Sequence, residues 1–184
     1  MINNGIIPSI ETMKNFELFL ISDYKYCIIM NFHISLLADL VLRAHNSHKK
    51  VFVHIDLIHG LTNDEYGSEY LCQKLNVDGL ISTKRKCLET AKRCHKQSIL
   101  RLFLIDSKSL NNGLNLANKL QPDYLEILPA IATSIIPYIK SHTNVALIGG
   151  GLLTSQEAIQ LAILSGLEAV SLSNNKLWFS NTND

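Results

Sequence analysis

VFVHIDLIHGLTNDEYGSEYLC, residues 51–72, runs from an apolar segment into a polar turn and then into a helical pattern. Val51, Phe52, Val53 and Ile55 have the β-branched and aromatic character of a strand covered on both faces, which is how strands of parallel sheets read. Polar groups then arrive together. His54, Asp56, His59, Asp64 and Glu65 cluster where the strand stops, while Gly60 and Gly67 let the backbone turn or pack closely. Ligands of α/β proteins bind at the carboxyl ends of strands, so Asp56 and His59, at the strand mouth, are read as functional. Asp64 and Glu65 read instead as complements to a helix N-terminus, and His54 as a hydrogen-bonded core histidine.

Outward from this unit, strand-like runs followed by helix-like runs recur along the chain. Strands are predicted over residues 6–10, 26–32, 51–56, 79–82, 99–105, 124–128, 145–148 and 169–172. Seven helices fit between them, beginning near Thr12, Ile34, Asp64, Lys84, Lys108, Ala130 and Ser155. Thr154 with Glu157 three residues on reads as a capping box for the seventh, and Gly166 stands where a left-handed C-cap is expected. Nothing after Trp178 is long enough for an eighth. Eight parallel strands can form an open doubly wound sheet or close into a (β/α)8 barrel. Closure removes both edges and suits short, near-uniform repeats. The predicted fold is therefore α/β, a compact TIM-like (β/α)8 barrel lacking its last helix, with residues 1–184 as a single barrel domain.

With 184 residues and 47% hydrophobic content, the chain can bury a sizeable core. Its longest apolar runs are interrupted well short of the roughly 20 residues of a spanning helix, and the N-terminus lacks a signal-peptide pattern. Cys27, Cys72, Cys87 and Cys94 show no metal-ligand spacing, so they read as reduced thiols of a cytoplasmic protein, Cys87 and Cys94 packing the inner face of a helix. The net charge is only +1, but its distribution is uneven. From Lys84 to Arg101 there are seven Lys or Arg against the single acid Glu89. At about 100° per residue, Arg85, Lys86, Lys92, Arg93 and Lys96 share one helix side opposite Cys87, Leu88, Ala91 and Cys94. Such a stripe is either a solvated face or a surface for a phosphate backbone. Without interleaved aromatics, structured RNA or backbone contact is the indicated mode.

Two further groupings point to a small anion. Gly149, Gly150 and Gly151 lie between a strand and a capped helix, where bare N–H groups can approach a phosphate. Ser173 and Asn174 end the eighth strand, at the other half of the usual barrel phosphate site. Arg101 and Glu126 sit inside apolar strands that a barrel places side by side. Since a lone buried charge costs several kcal/mol, Arg101 is neutralised either by Glu126 or by a bound anion. Lys84, just past the fourth strand, is placed to reach an anion, with Ser82 and Thr83 as hydroxyl donors.

HIDLIHGLTNDEYGSEYL, DGLISTK, RLFLID, PDYLEILP, the glycines of IGGGLL, and SLSNNKLW together resemble the GlpP family, the glycerol-3-phosphate-responsive antiterminators of bacterial glycerol operons. The resemblance spans nearly the whole chain, with each block at a strand end. It implies a TIM-type barrel that works as a regulator, responding to glycerol 3-phosphate and binding leader mRNA so that transcription passes a terminator. Carried over residue by residue, it covers His54, Asp56, Gly60, Ser82 to Lys84, Arg101, Asp106, Glu126, Pro129, Gly150, Gly151, Ser173 and Asn174. The expected ligand set is Asp56, His59, Lys84, Arg101, Glu126, Gly150, Gly151, Ser173 and Asn174, with phosphate on the glycines, Ser173, Asn174 and Lys84, and hydroxyls on Asp56 and Glu126. The expected RNA surface is Arg85, Lys86, Lys92, Arg93 and Lys96. Leu100, Ala130 and Leu172 depart from the family pattern and are expected to make the strand mouth less polar. No metal, cofactor or membrane is expected, and a homo-oligomer is compatible with the chain. The alternative is an aldolase or isomerase of a small phosphate ester using Asp56, His59 or Glu126 as acid and base. It lacks a strand lysine for Schiff-base chemistry and any metal-ligand spacing. A third reading is a sensor that acts through another protein and leaves the basic stripe solvated.

Overall fold

In the computed structural model, which describes residues 5–178, the apolar runs form eight strands. These are β1 Ile6–Ile10, β2 Tyr26–Ile29, β3 Lys50–His54, β4 Gly79–Ser82, β5 Gln97–Phe103, β6 Tyr124–Leu128, β7 Ala146–Gly150 and β8 Ala169–Leu172. All neighbours pair in parallel and in chain order, and β8 returns to β1 through Ile6↔Val170, Ile7↔Ser171 and Pro8↔Leu172. The sheet is thus closed, and no strand edge among the described residues is left to pair with another chain. The closed barrel, rather than the open sheet, is the form this chain takes.

Seven helices alternate with the strands: α1 Met13–Ile21, α2 Ile34–Asn46, α3 Glu65–Glu69, α4 Arg85–Arg93, α5 Ser107–Leu120, α6 Ile136–His142 and α7 Gln156–Leu164. Their starts are marked by side chains that accept the N–H three residues on: Thr12 from Asn15, Asp64 from Gly67, Asp106 from Ser109 and Ser155 from Ala158. Such a cap stabilises by about 1 kcal/mol. The capping residue of α7 is therefore Ser155 and not Thr154. Gly166, at φ +117, follows α7 in the backbone region predicted for it. The sixth helix starts later than its predicted position near Ala130. The Ala130 N–H is still tied to the Gly150 carbonyl, 2.7 Å away, and a 3-10 turn over Thr133–Ile135 precedes the helix. Strand ends also differ from expectation: β2, β3 and β5 stop earlier than predicted and β7 runs on to Gly150. After Ile29 the chain turns at Asn31, φ +59, and after His54 it enters a 3-10 turn, Ile55–Leu57, that carries Asp56 off the sheet.

Where an eighth helix would lie, a 3-10 turn over Asn175–Leu177 leads to the buried Trp178. Its indole N–H donates to the Leu172 carbonyl at 2.9 Å, and its carbonyl accepts from the Tyr24 hydroxyl at 2.6 Å. Asn175 bonds Asn15 of α1, and Gln156 of α7 bonds the Leu177 carbonyl. One tryptophan and four hydrogen bonds thus close the gap between α7 and α1. The expectation that no helix follows Trp178 falls on residues 179–184, outside the described residues.

The core has two parts. The larger lies between strands and helices and includes Phe16, Phe19, Leu37, Leu40, Leu71 and Leu88. Leu100, Ala130 and Leu172 belong to it too, so these departures pack against the helical layer and do not line the mouth. The smaller fills the barrel and sets the depth of the site.

Candidate functional site in the barrel mouth

Inside the barrel each strand contributes one residue to an apolar plug: Ile7, Ile28, Phe52, Ile81, Ile99, Tyr124, Ile148 and Ala169. Strand side chains alternate faces, so residues two positions further also point inward, one step nearer the carboxyl-terminal mouth. That step reads Ser9, Met30, His54, Thr83, Arg101, Glu126, Gly150 and Ser171. A largely polar ring thus lies directly on a dry floor. The contacts within it bear this register out.

Arg101 and Glu126 face each other across β5 and β6. The Arg101 Nε donates to Glu126 Oε2 at 2.7 Å, with 8% of the arginine side chain and none of the glutamate exposed. The Ser171 hydroxyl donates to Glu126 Oε1, also at 2.7 Å. Gly150 leaves room for the Ser171 hydroxyl that serves this carboxylate: a Cβ there would stand 2.5 Å from Ser171 Oγ and 3.2 Å from Glu126 Oε1. The two buried charges therefore neutralise one another, which settles the first of the alternatives left open by the sequence. The Arg101 guanidinium spends only Nε on this bond. Among the described residues its two terminal nitrogens make no hydrogen bond, and neither does the Ser9 hydroxyl. These donors are the chemistry that can hold a small anion.

His54 is 2% exposed, and neither ring nitrogen has a hydrogen-bond partner. Burial first, and then the Arg101 charge, push its pKa down to about 4 against the opposing pull of Glu126 and Asp56. At neutral pH it is an uncharged imidazole. The satisfied core histidine expected from the sequence is thus buried but unsatisfied.

Asp56 is committed elsewhere. Its Oδ1 accepts from Ser82 Oγ at 2.7 Å and Asn63 Nδ2 at 3.2 Å, and its Oδ2 from the Thr83 N–H at 2.8 Å and hydroxyl at 3.1 Å. Burial would raise its pKa. The Thr83 and Ser82 hydrogen bonds, with the His54 charge when present, bring it below the usual carboxylate value. Asp56 clamps the turn that starts α4. Lys84, at the N-cap, donates to Oδ1 of the same Asn63 at 2.6 Å.

His59 is exposed on the rim, its backbone tied to Phe32 and Ile34 of the loop after β2. Gly151, at φ +79, Ser173 and Asn174 are exposed in the loops after β7 and β8, and Asn174 Oδ1 caps the turn before Trp178 by accepting from the Lys176 N–H. The expected ligand set thus divides into Arg101, Glu126 and Gly150 in the ring, His59, Gly151, Ser173 and Asn174 on the rim, and Asp56 and Lys84 in the clamp. Ser9 and Ser171 were not singled out from the sequence, and His54 was named within the family blocks but not in the ligand set; counting two residues on from the inward apolar position of each strand brings all three into the ring.

The basic helix differs from a free stripe. Arg93 is held by Glu65 at 2.9 Å and Glu69 at 2.8 Å of α3, and Arg85 by Glu89 at 2.7 Å. Lys92 donates to the Leu120 and Gln121 carbonyls, and Lys96 binds Asn76. Lys96 also falls outside α4, which ends at Arg93 before His95 turns at φ +56. Among the five, Lys86 alone has no hydrogen bond or ion pair to a described residue. Among the described residues there is no cluster of three or more His, Cys, Asp or Glu suited to a metal, the four cysteines are free thiols, and no helix is long and apolar enough to cross a membrane.

A closed eight-stranded parallel barrel with a polar, guanidinium-bearing mouth places the molecule in the TIM-barrel class. Residues 6–178 match the model of the glycerol-3-phosphate responsive antiterminator family, and the chain belongs to that family. It is similar to the crystal structure of a glycerol uptake operon antiterminator regulatory protein from Listeria monocytogenes, at 38% identity and a TM-score of 0.92 over 96% of this chain and 95% of that one. A glycerol uptake operon antiterminator-related protein from Thermotoga maritima matches at 26% identity and a TM-score of 0.83, covering 97% and 99%. YgcP, an uncharacterized protein of Escherichia coli (strain K12), is 29% identical over 175 residues, 95% of this chain and 92% of its own.

Proposed function

We propose that this protein is a cytoplasmic RNA-binding antiterminator, a single barrel domain that binds glycerol 3-phosphate in its mouth and leader mRNA on its surface. The observation that carries the ligand site is Arg101, whose Nε is spent on Glu126 while its terminal nitrogens remain unpaired above a sealed apolar floor. A phosphoryl group meets a guanidinium fork well. The rim residues Gly151, Ser173 and Asn174 supply further N–H, hydroxyl and amide donors on the same side, where barrels commonly bind phosphate. Family membership supports the effector and the regulatory role.

The enzyme reading is less well supported by the ring. Both Glu126 oxygens are occupied, Asp56 is saturated, and no lysine lies among the inward residues, so no free carboxylate or Schiff-base amine faces the floor, and His54 is the one unpaired base in the ring.

The RNA surface is α4 with its flanks: Arg85, Lys86, Lys92, Arg93 and Lys96. RNA phosphates would compete with Glu65 and Glu69 for Arg93. Because Asp56 holds Thr83 at the start of α4, a ligand in the mouth acts close to the element that meets RNA. The test is binding of the leader transcript with and without glycerol 3-phosphate across a salt series. Salt-sensitive binding, tightened by ligand and weakened when Arg85, Arg93 and Lys96 are changed to alanine together, is expected. RNA binding unchanged in that triple variant overturns the surface.

A further inference from the structure

We propose that His54 is a ligand-binding residue, its imidazole hydrogen-bonding a hydroxyl group of the small phosphorylated polyol whose phosphoryl end Arg101 holds. This rests on the function proposed above and assigns the group that reads the uncharged half of the molecule.

His54 is the one described residue with side-chain polar atoms that are fully buried and lack any partner, and both of its ring nitrogens do so. Buried polar atoms are paired in nearly all native structures, because leaving one unpaired forfeits its hydration without return. The neighbours cannot turn to it cheaply. Glu126 gives one oxygen to Arg101 and the other to Ser171, and Asp56 gives both of its oxygens to the Ser82, Thr83 and Asn63 donors. Arg101, the remaining charged group beside it, has only N–H donors, so it can answer at most the acceptor nitrogen and leaves the ring N–H without an acceptor. The partner therefore comes from outside the protein.

Position and chemistry say which kind of partner. His54 ends β3 in the same ring as Arg101, Glu126 and Ser171, one step above the apolar plug, and feels the Arg101 charge, so a short ligand held by the guanidinium would lie in the ring that contains the imidazole. An uncharged imidazole adds nothing for a second anion. It offers one donor and one acceptor, and a hydroxyl can answer either, whichever nitrogen carries the proton. A short polyol phosphate has both halves: charge for Arg101 and hydroxyl for His54.

The experiment compares glycerol 3-phosphate with n-propyl phosphate, which keeps chain length and charge but lacks the hydroxyls, by calorimetric titration of the full-length wild type, His54→Phe and His54→Gln. The wild type is expected to prefer glycerol 3-phosphate tenfold or more. His54→Phe is expected to bind the two alike, near the wild-type affinity for propyl phosphate, and His54→Gln, which keeps a donor and an acceptor, to recover part of the preference. Unchanged discrimination by His54→Phe overturns the proposal and leaves His54 satisfied by buried water only. Failure of the wild type to bind glycerol 3-phosphate overturns the proposed function itself, which the wild-type titration reports separately from the variants.

Discussion

Removing Glu126 should be far more damaging than removing Glu126 and Arg101 together. Glu126 is fully buried, and its carboxylate joins Arg101 of β5 to Ser171 of β8 across the barrel. Glu126→Leu preserves much of the volume but strands a guanidinium whose side chain is 8% exposed and leaves the Ser171 hydroxyl without its acceptor. Breaking a buried pair in this way costs about 3–5 kcal/mol, whereas replacing both charges with apolar side chains is often close to neutral. For a chain of 184 residues, each kcal/mol moves Tm by about 2–4 °C, so the single variant should melt about 6–20 °C below wild type. The Arg101→Met/Glu126→Leu double variant, which strands only the Ser171 hydroxyl, should melt nearer wild type than the single variant yet fail to bind glycerol 3-phosphate, because the anion-holding fork is gone. Thermal unfolding followed by circular dichroism, with a parallel ligand titration, gives both readouts. Equal destabilisation of the single and double variants would refute the pairing argument, and ligand binding by the double variant would refute the role of Arg101.

Other outcomes follow from the same geometry. Asp56→Ala should cost about 1–3 kcal/mol, because the Ser82 and Thr83 donors lose their acceptor, and hydrogen exchange should show the Thr83 amide, just past β4, losing protection before β4 does. For His54 the folded-state pKa, about 4, lies below the ordinary value of 6.5, so between those pH values the unfolded chain binds more protons. Stability therefore falls as pH drops through that window, by about 3 kcal/mol in total, and urea unfolding at a series of pH values should show this slope flattened in His54→Phe relative to wild type. Trp178→Ala should cost about 3–5 kcal/mol in the same unfolding assay while leaving the affinity for glycerol 3-phosphate within a few-fold of wild type, since the indole closes the gap between α7 and α1 and does not belong to the ring.

Much of the barrel was legible because its strands are short apolar runs bounded by helix-capping residues. β1, β4, β6 and β8 lie at the predicted bounds. β2 was read too long, since the apolar character of Met30 and Phe32 conceals the turn that Asn31 makes between them. The sixth helix was read too early because a sequence does not show that Ala130 is still bonded to β7.

In the site, Arg101 and Glu126 were visible as charges inside apolar strands, and their pairing followed from barrel adjacency alone. What the sequence hid was partner choice. Asp56 stands at a strand end, as a ligand residue would, but four donors from Asn63, Ser82 and Thr83 saturate it. The regular spacing of the basic residues on α4 says nothing of Glu65 and Glu69, which reach Arg93 from a different helix. His54 looked ordinary for the same reason: an unpartnered nitrogen is a property of the surroundings and not of the residue.

The most direct test of the account is calorimetric titration of the wild-type protein with glycerol 3-phosphate, with glycerol and inorganic phosphate as separate controls. A site built from a guanidinium fork and a polar ring on a closed floor predicts saturable binding of the ester, with either half alone binding far more weakly. No heat of binding from the ester, or equal binding of inorganic phosphate, would contradict it.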